Sequence, residues 1–180
     1  MSSTPPRSLR RRSALVATSV LASSLAGGFV LPASPAAAAP PSEAERFVRQ
    51  AYVDVVRDAD PDPADIQAAV ASLQSGESQA TWLWNLLQSD EGRSAFVESE
   101  FERLLDRPVD PAGLAFYVGK LERGSTRANL RSFLVGSNEY FQRKGGTNET
   151  FVDAAYQDLF GRAPDSSGRA YWLGRLEAGT

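Results

Sequence analysis

The chain repeats itself, and this constrains its fold more than anything else in it. Residues 96–125 and 151–180 align without a gap at an offset of 55. Phe96 meets Phe151, Phe101 meets Tyr156, Leu104 and Leu105 meet Leu159 and Phe160, and Arg107 meets Arg162. Asp110 then meets Asp165, Gly113 meets Gly168, and Phe116-Tyr117 meets Tyr171-Trp172, while Leu121, Glu122 and Gly124 fall on Leu176, Glu177 and Gly179. A fainter first copy lies 48 residues upstream, with Asp62-Pro63-Ala64 under Asp110-Pro111-Ala112, Leu73 under Leu121, Gly76 under Gly124 and Ser89-Asp90-Glu91 under Ser137-Asn138-Glu139. The two offsets differ by seven because Phe96 follows Ser89 by seven residues, whereas Phe151 follows Ser137 by fourteen. The extra residues lie around 142–148, which Gly145-Gly146 marks as a loop. Units of this kind bury their apolar faces by stacking on their neighbours.

Within each copy the periodicity is helical. Phe47, Ala51, Tyr52, Val55 and Val56 keep the spacing of one helix face, as do Phe151, Ala155, Tyr156 and Leu159. Asp110-Pro111 reads as an N-cap followed by proline at the first helical position, where its missing N–H is no loss; Asp165 stands in the same place. Leu114, Tyr117, Val118 and Leu121 form the stripe of that second helix, and Gly124 and Gly179 stand where glycines end helices. A third helix is expected from about Ser78 or Ser125, carrying Trp82, Leu83, Leu86 and Leu87, or Leu130, Phe133 and Leu134. Gly113 and Gly168, each three residues before an aromatic pair, predict a close approach of two helices. There is almost no strand signal. The expected architecture is all-α, a short array of repeats of about three helices, with the third repeat incomplete. Its parts are a leader at 1–38, a linker at 39–44, a degenerate repeat 1 at 45–89, repeat 2 at 90–144 and a truncated repeat 3 at 145–180. As read, repeat 3 is one helix short, so Tyr171, Trp172 and Leu176 are expected to be uncovered and to invite self-association.

Residues 1–38 read as an address. Arg7, Arg10, Arg11 and Arg12 precede an uncharged stretch, Ala14 to Leu31, and the run from Pro32 to Pro40 supplies small residues for cleavage after Ala38. The alternative is a retained anchor. Eighteen residues could just span a bilayer, which needs about 17–25, but Thr18, Ser19, Ser23, Ser24, Gly27 and Gly28 dilute the stretch. Arg11-Arg12-Ser13-Ala14-Leu15 also resembles a twin-arginine signal, so the export route stays open. Cleavage removes four Arg and no acid and takes the formal net charge from −3 to −7. A chain that acidic is not expected to bind nucleic acid.

The pattern Phe151-x4-Tyr156-x-Asp158-Leu159-x-Gly161-Arg162-x-Pro164-Asp165-x2-Gly168-x2-Tyr171-Trp172-x3-Leu176-x2-Gly179 resembles the bacterial domain-of-unknown-function family 4214. The second copy continues it with Phe133-Leu134-x2-Ser137-x-Glu139-Tyr140-Phe141, similar to that family's closing motif. The first copy departs from it, with Asp58 for the Arg, Asp65 for the Gly and Ala68-Ala69 for the aromatic pair. The resemblance implies a helical module of secreted or surface bacterial proteins, and it brings no catalytic residue with it.

Function classes fall to composition. With no Cys and no His, disulfides, thiolate nucleophiles, Ser-His-Asp triads and nearly every catalytic zinc site are excluded. One loop invites a metal. Asp58, Asp60, Asp62 and Asp65 are crowded enough for calcium, but a loop begun at Asp58 has Pro63 and Ala69 where a calcium loop needs Gly and Glu. Begun at Asp54, it has Val56 at a ligand position. Helix capping and solvated charge account for these aspartates instead, so no metal or cofactor is expected. Glu98, Glu100 and Glu102, or Glu139 and Glu149, are the carboxylates a glycosidase would draw on, yet residues two apart on a helix point to different faces. Trp82, Trp84, Tyr117, Tyr171 and Trp172 could stack on sugars; Tyr117 and Trp172 fall on the inward stripe, which leaves Trp84 as the exposed contact. The sequence therefore reads as an exported, non-catalytic binding or scaffolding module at the cell surface or beyond. Its expected partner is a protein or a surface polysaccharide, and the alternative is a carbohydrate- or peptidoglycan-active enzyme using paired carboxylates.

Overall fold

A computed structural model describes residues 40–179; the leader read at 1–38 lies outside the described residues, as does Thr180. The described chain is helical, with no strand in it. Its helices are α1 (Glu43–Ala51), which runs on into a π-helical turn (Tyr52–Val56), α2 (Pro63–Gln74), α3 (Gln79–Gln88), α4 (Asp90–Leu105), α5 (Pro111–Glu122), α6 (Arg127–Val135), α7 (Asn138–Arg143), α8 (Asn148–Phe160) and α9 (Ser166–Glu177). Among the described residues no helix is long and apolar enough to cross a membrane.

Every one of these α-helices starts on a capping side chain. Ser42, Asp62, Ser78, Ser89, Asp110, Thr126, Ser137, Thr147 and Asp165 each accept a first-turn backbone N–H at 2.8–3.2 Å. Such a cap contributes about 1 kcal/mol and fixes where the helix starts. It also moves two expected boundaries. The linker read at 39–44 ends earlier, because Ser42 caps α1 two residues ahead of repeat 1, and α6 starts from Thr126 rather than Ser125.

The seven-residue difference between the offsets has a simple form. In the first joint Ser89 both ends α3 and caps α4, so closing helix and next opening helix are one continuous rod of 16 residues. In the second joint the same stretch is broken into α7 and α8 by a loop in which Gly145 and Gly146 take φ of 106° and 69°. The first joint is tight. A Cβ on Gly92 would run into the Leu86 carbonyl oxygen.

Two apolar clusters form the core. Val48, Tyr52, Ile66, Ala69 and Leu86 join α1–α3, with Trp82 edge-on to Phe47 at 5.8 Å. A larger one gathers Phe101, Leu104, Leu105, Leu121, Leu130, Leu134 and Tyr140 from α4 to α7, with Tyr117 edge-on to Phe101 at 5.4 Å. Copy three is attached to this second cluster by α8. Val152 is buried, Phe151 packs against Tyr140 and Phe141, and Arg103 donates to the Asp158 carbonyl at 2.7 Å.

Three expectations are corrected here. Phe133 is not part of the buried stripe of α6; it is exposed, with the Lys120 ammonium 4.7 Å above its ring. Trp172, placed on the inward stripe, is not core either; it is 48% exposed, in line with the expectation that this end of repeat 3 is uncovered. The close approach of two helices expected at both glycines holds at Gly168, against α8, and not at Gly113. A Cβ on Gly113 would meet its own cap, Asp110 Oδ2 and Val109 Cγ2, both at 3.2 Å, and one on Gly168 would meet the Tyr156 hydroxyl at 2.9 Å.

Candidate functional site

Between α8 and α9 runs an open groove of about 480 Å³, floored by Ala155, Tyr156 and Leu159 and walled by Phe160, Trp172 and Leu176. Local sequence builds it. Thr147 and Thr150 form a reciprocal capping box that starts α8, and Gly161 ends it in the left-handed region at φ 67°. Asp165 caps α9 three residues before Gly168, whose small size leaves room for the Tyr156 hydroxyl. Arg169 donates to Asp153 through Nε at 2.8 Å and Nη2 at 3.0 Å, which ties α9 alongside α8 and holds the Asp153 carboxyl below its ordinary range. What α9 lacks is burial, for it contains no buried residue.

The equivalent groove in copy two is full. Leu104 and Leu105 are 0% and 2% exposed beneath Leu130, Leu134 and Tyr140, whereas their counterparts Leu159 and Phe160 are 41% and 64% exposed. The difference extends to charge. Arg107 lies 5.1 Å over the Phe101 ring and donates to Glu139 through Nε at 2.6 Å and Nη2 at 2.8 Å. Its hydrogen bond pulls the Glu139 carboxyl down to about 2, assisted by Arg143. Arg162 keeps the same pose, 5.5 Å over the Tyr156 ring and donating to a neighbouring carbonyl, Ala163. Among the described residues it forms no ion pair.

Residue 92 to residue 180 is where the comparisons with known proteins fall. A family described as a domain of unknown function (DUF4214) matches residues 92–140 and again residues 131–180. This region belongs to the DUF4214 family. Both matches use residues 131–140, the end of α6 and the start of α7, which form the wall between copies two and three. Neither reaches copy one, where Asp58, Asp65 and Ala68-Ala69 replace the DUF4214 pattern. No curated protein and no solved structure matches the chain.

The remaining candidates are placed as follows. Trp84 is 62% exposed on α3 and borders a hollow of about 440 Å³ with Arg93 and Thr126. Gly124 and Gly179 take φ of 90° and 71° just past α5 and α9. Asp58, Asp60, Asp62 and Asp65 do not converge as ligands. Asp58 accepts from the Asp60 amide at 2.9 Å, Asp62 caps α2, and no acidic group able to hold a metal ion forms among the described residues. The carboxylates disperse too. Glu98 and Glu102 are exposed on α4, with Glu102 paired to Arg57, while Glu100 points into the protein and is 3% exposed. Burial opposes ionisation of Glu100, but hydrogen bonds from Arg131 at 2.7 and 3.0 Å and Arg103 at 2.5 Å outweigh it and hold its carboxyl low. Glu139 serves Arg107, and Glu149 lies in the exposed first turn of α8.

Of the residues expected to be uncovered, Trp172 and Leu176 line the groove and Tyr171 does not, while Leu159, Phe160 and Arg162 line it without having been singled out as contacts. A signal is available in the repeat: Leu159 and Phe160 align with Leu104 and Leu105, apolar positions of copy two, and Arg162 aligns with Arg107.

Proposed function

We propose that this protein is an exported, non-catalytic helical repeat module that binds another protein through the α8–α9 groove at the cell surface or outside the cell. One observation carries the reading: an apolar groove with exposed Leu159, Phe160 and Trp172 has a twin in the same chain that is filled by helices. Large aromatic side chains around a concave apolar surface are the usual composition of a protein-binding hot spot. Export rests on the basic, uncharged and small-residue order of residues 1–38. The non-catalytic reading rests on the carboxylates, since Glu100 and Glu139 are held ionised by arginines and Glu98 and Glu102 stand apart from them on open surface.

A photo-crosslinking amino acid at position 160 tests this in cells exporting the full chain, with position 133, an exposed aromatic outside the groove, as control. Protein adducts at 160 in excess of those at 133 are expected, on a chain whose intact mass starts at Ala39 or within two residues of it. A doubled mass would identify self-association through Tyr171, Trp172 and Leu176. Equal adducts at the two positions, or a glycan at 160, would overturn the reading.

A further inference from the structure

The proposal above leaves the partner's chemistry open, and the molecule itself contains a template for it. We propose that the α8–α9 groove is the receiving half of a repeat-to-repeat joint, and that its occupant is a helix pair of the α6–α7 kind borne by another repeat. That occupant has Leu at i and i+4 followed by a Ser-x-Glu turn, and its glutamate closes on Arg162. The inference rests on the protein-binding reading of the groove and adds the identity of the ligand.

Three observations support it. The first is shape: Leu130 and Leu134 of α6, four residues apart on one face, seal Leu104, Leu105 and Leu121 in copy two. Leu159 and Phe160 are two of the same positions one repeat later, apolar still and exposed, and Leu176, the counterpart of Leu121, is only half-buried. The second is charge. A helix N-terminal turn capped by Ser137 places Glu139 on the Arg107 guanidinium with two parallel hydrogen bonds, a geometry that suits arginine and a carboxylate and little else. Arg162 holds the same position over its aromatic ring with the carboxylate missing. The contrast with copy one is informative: there Asp58 replaces the arginine, so the Glu91 of its own Ser-x-Glu turn finds no such clasp. Copy three has kept the receiving arginine that copy one lost. The third is availability. This chain's own α6–α7 is already buried in copy two, with Tyr140 0% exposed and hydrogen-bonded to Asp158 at 2.8 Å. It cannot serve a second groove without opening the core that contains it, so the occupant is a different copy of the pair.

The probe is this chain's own sequence. Gly179-Thr180 aligns with Gly124-Ser125, so a second copy of residues 126–144 joined directly after Thr180 of the full chain enters in register. If the groove takes such a helix pair, hydrogen exchange of the α9 amides slows by at least about tenfold. Changing Arg162→Ala, or the grafted copy of Glu139 to Gln, reverses much of that protection. An unchanged exchange rate in α9 would overturn the proposal, as would protection indifferent to both substitutions. Sedimentation of the ungrafted chain supplies the other arm: a dimer abolished by Trp172→Asp would mean that two grooves cover each other, and the α6–α7 occupant would be wrong. In that case the crosslinks at position 160 would still support protein binding, so the two readings fail separately.

Discussion

Helices α5 and α9 begin alike and end in different surroundings. Both are 12 residues long, both start on an aspartate that accepts a glycine amide three residues on, and both carry an adjacent aromatic pair and a late leucine. Yet Leu121 is buried in α5, and nothing is buried in α9. Helix formation is therefore specified locally, by caps and stop signals, while burial belongs to whatever lies on top. For α5 that is α6 and α7. The comparison also shows what replaces the missing core. Where α5 has Leu114 packed inward and α4 has Glu98, α9 has Arg169 and α8 has Asp153, an exposed bidentate pair that holds the helices side by side without a cover.

The largest effect expected from this comparison comes from removing the same side chain in both copies. Leu104→Ala should cost about 3–5 kcal/mol, because the position is fully enclosed and a cavity remains. Leu159→Ala, 41% exposed, should cost less than about 1 kcal/mol. Urea titrations of the two variants measure both. Equal losses would mean that the α8–α9 groove is closed in solution, and the contrast between the copies would collapse.

A smaller effect separates the two arginines. The Glu139 carboxyl, held at about 2 by Arg107, would titrate near its ordinary value of about 4.3 in the unfolded chain. Its folded value is the lower one, so its contribution is complete above about pH 5 and is lost as pH falls towards 2. Part of it is screened, because the side chain is 37% exposed. Stability measured from pH 6 down to pH 2.5 should fall more steeply in the unaltered protein than in Glu139→Gln. Arg162→Ala should flatten the slope only slightly, since Arg162 assists the hydrogen bonds from Ser167 and Gly168 that hold the Asp165 carboxyl low. A flattening as large as that of Glu139→Gln would reveal a carboxylate clasped by Arg162.

Much of this was legible in the sequence, and the boundary of legibility is physical. The repeat, the helical class and the glycine loop at 145–146 depend on residues near each other in the chain, and pattern reveals those. Trp172 shows both sides of this: periodicity places it on the apolar, inward stripe, and the helix missing from repeat 3 predicts that the stripe stays uncovered, as its 48% exposure shows. Phe133 failed, an aromatic at a stripe position that Lys120 draws outward instead. Gly113 and Gly168 share the third helical position, where the amide bonds to the capping aspartate; only at Gly168 does a neighbouring helix also come close, through the Tyr156 hydroxyl, while a Cβ on Gly113 would crowd its own cap. The clasp of Glu100 by Arg131 and Arg103 could not be anticipated, since Arg131 lies 31 residues away in sequence.

The smallest effect concerns a feature that all three copies share in conformation and not in sequence. The opening helix of each copy ends on one residue in the left-handed region: Arg57 at φ 62°, Asp106 at φ 46° and Gly161 at φ 67°. Only copy three uses glycine, the residue that takes this conformation without a Cβ penalty. Asp106 is exposed, and its amide makes the closing bond to the Glu102 carbonyl at 3.1 Å, which any residue can make. Asp106→Gly should therefore stabilise copy two by about 0.5 kcal/mol, the relief of a left-handed L-residue less the extra freedom glycine gains in the unfolded chain. The reverse change, Gly161→Asp, should cost a similar amount. Arg57→Gly relieves a bulkier residue but gives up the exposed pair with Glu102 at 2.7 Å, so its net gain should be smaller than the strain alone suggests. Thermal melts of the three variants rank them. If Asp106→Gly lowers the melting temperature, the aspartate side chain is contributing to this corner in a way its exposure does not show, and the copies differ at their helix ends as well as in their cover.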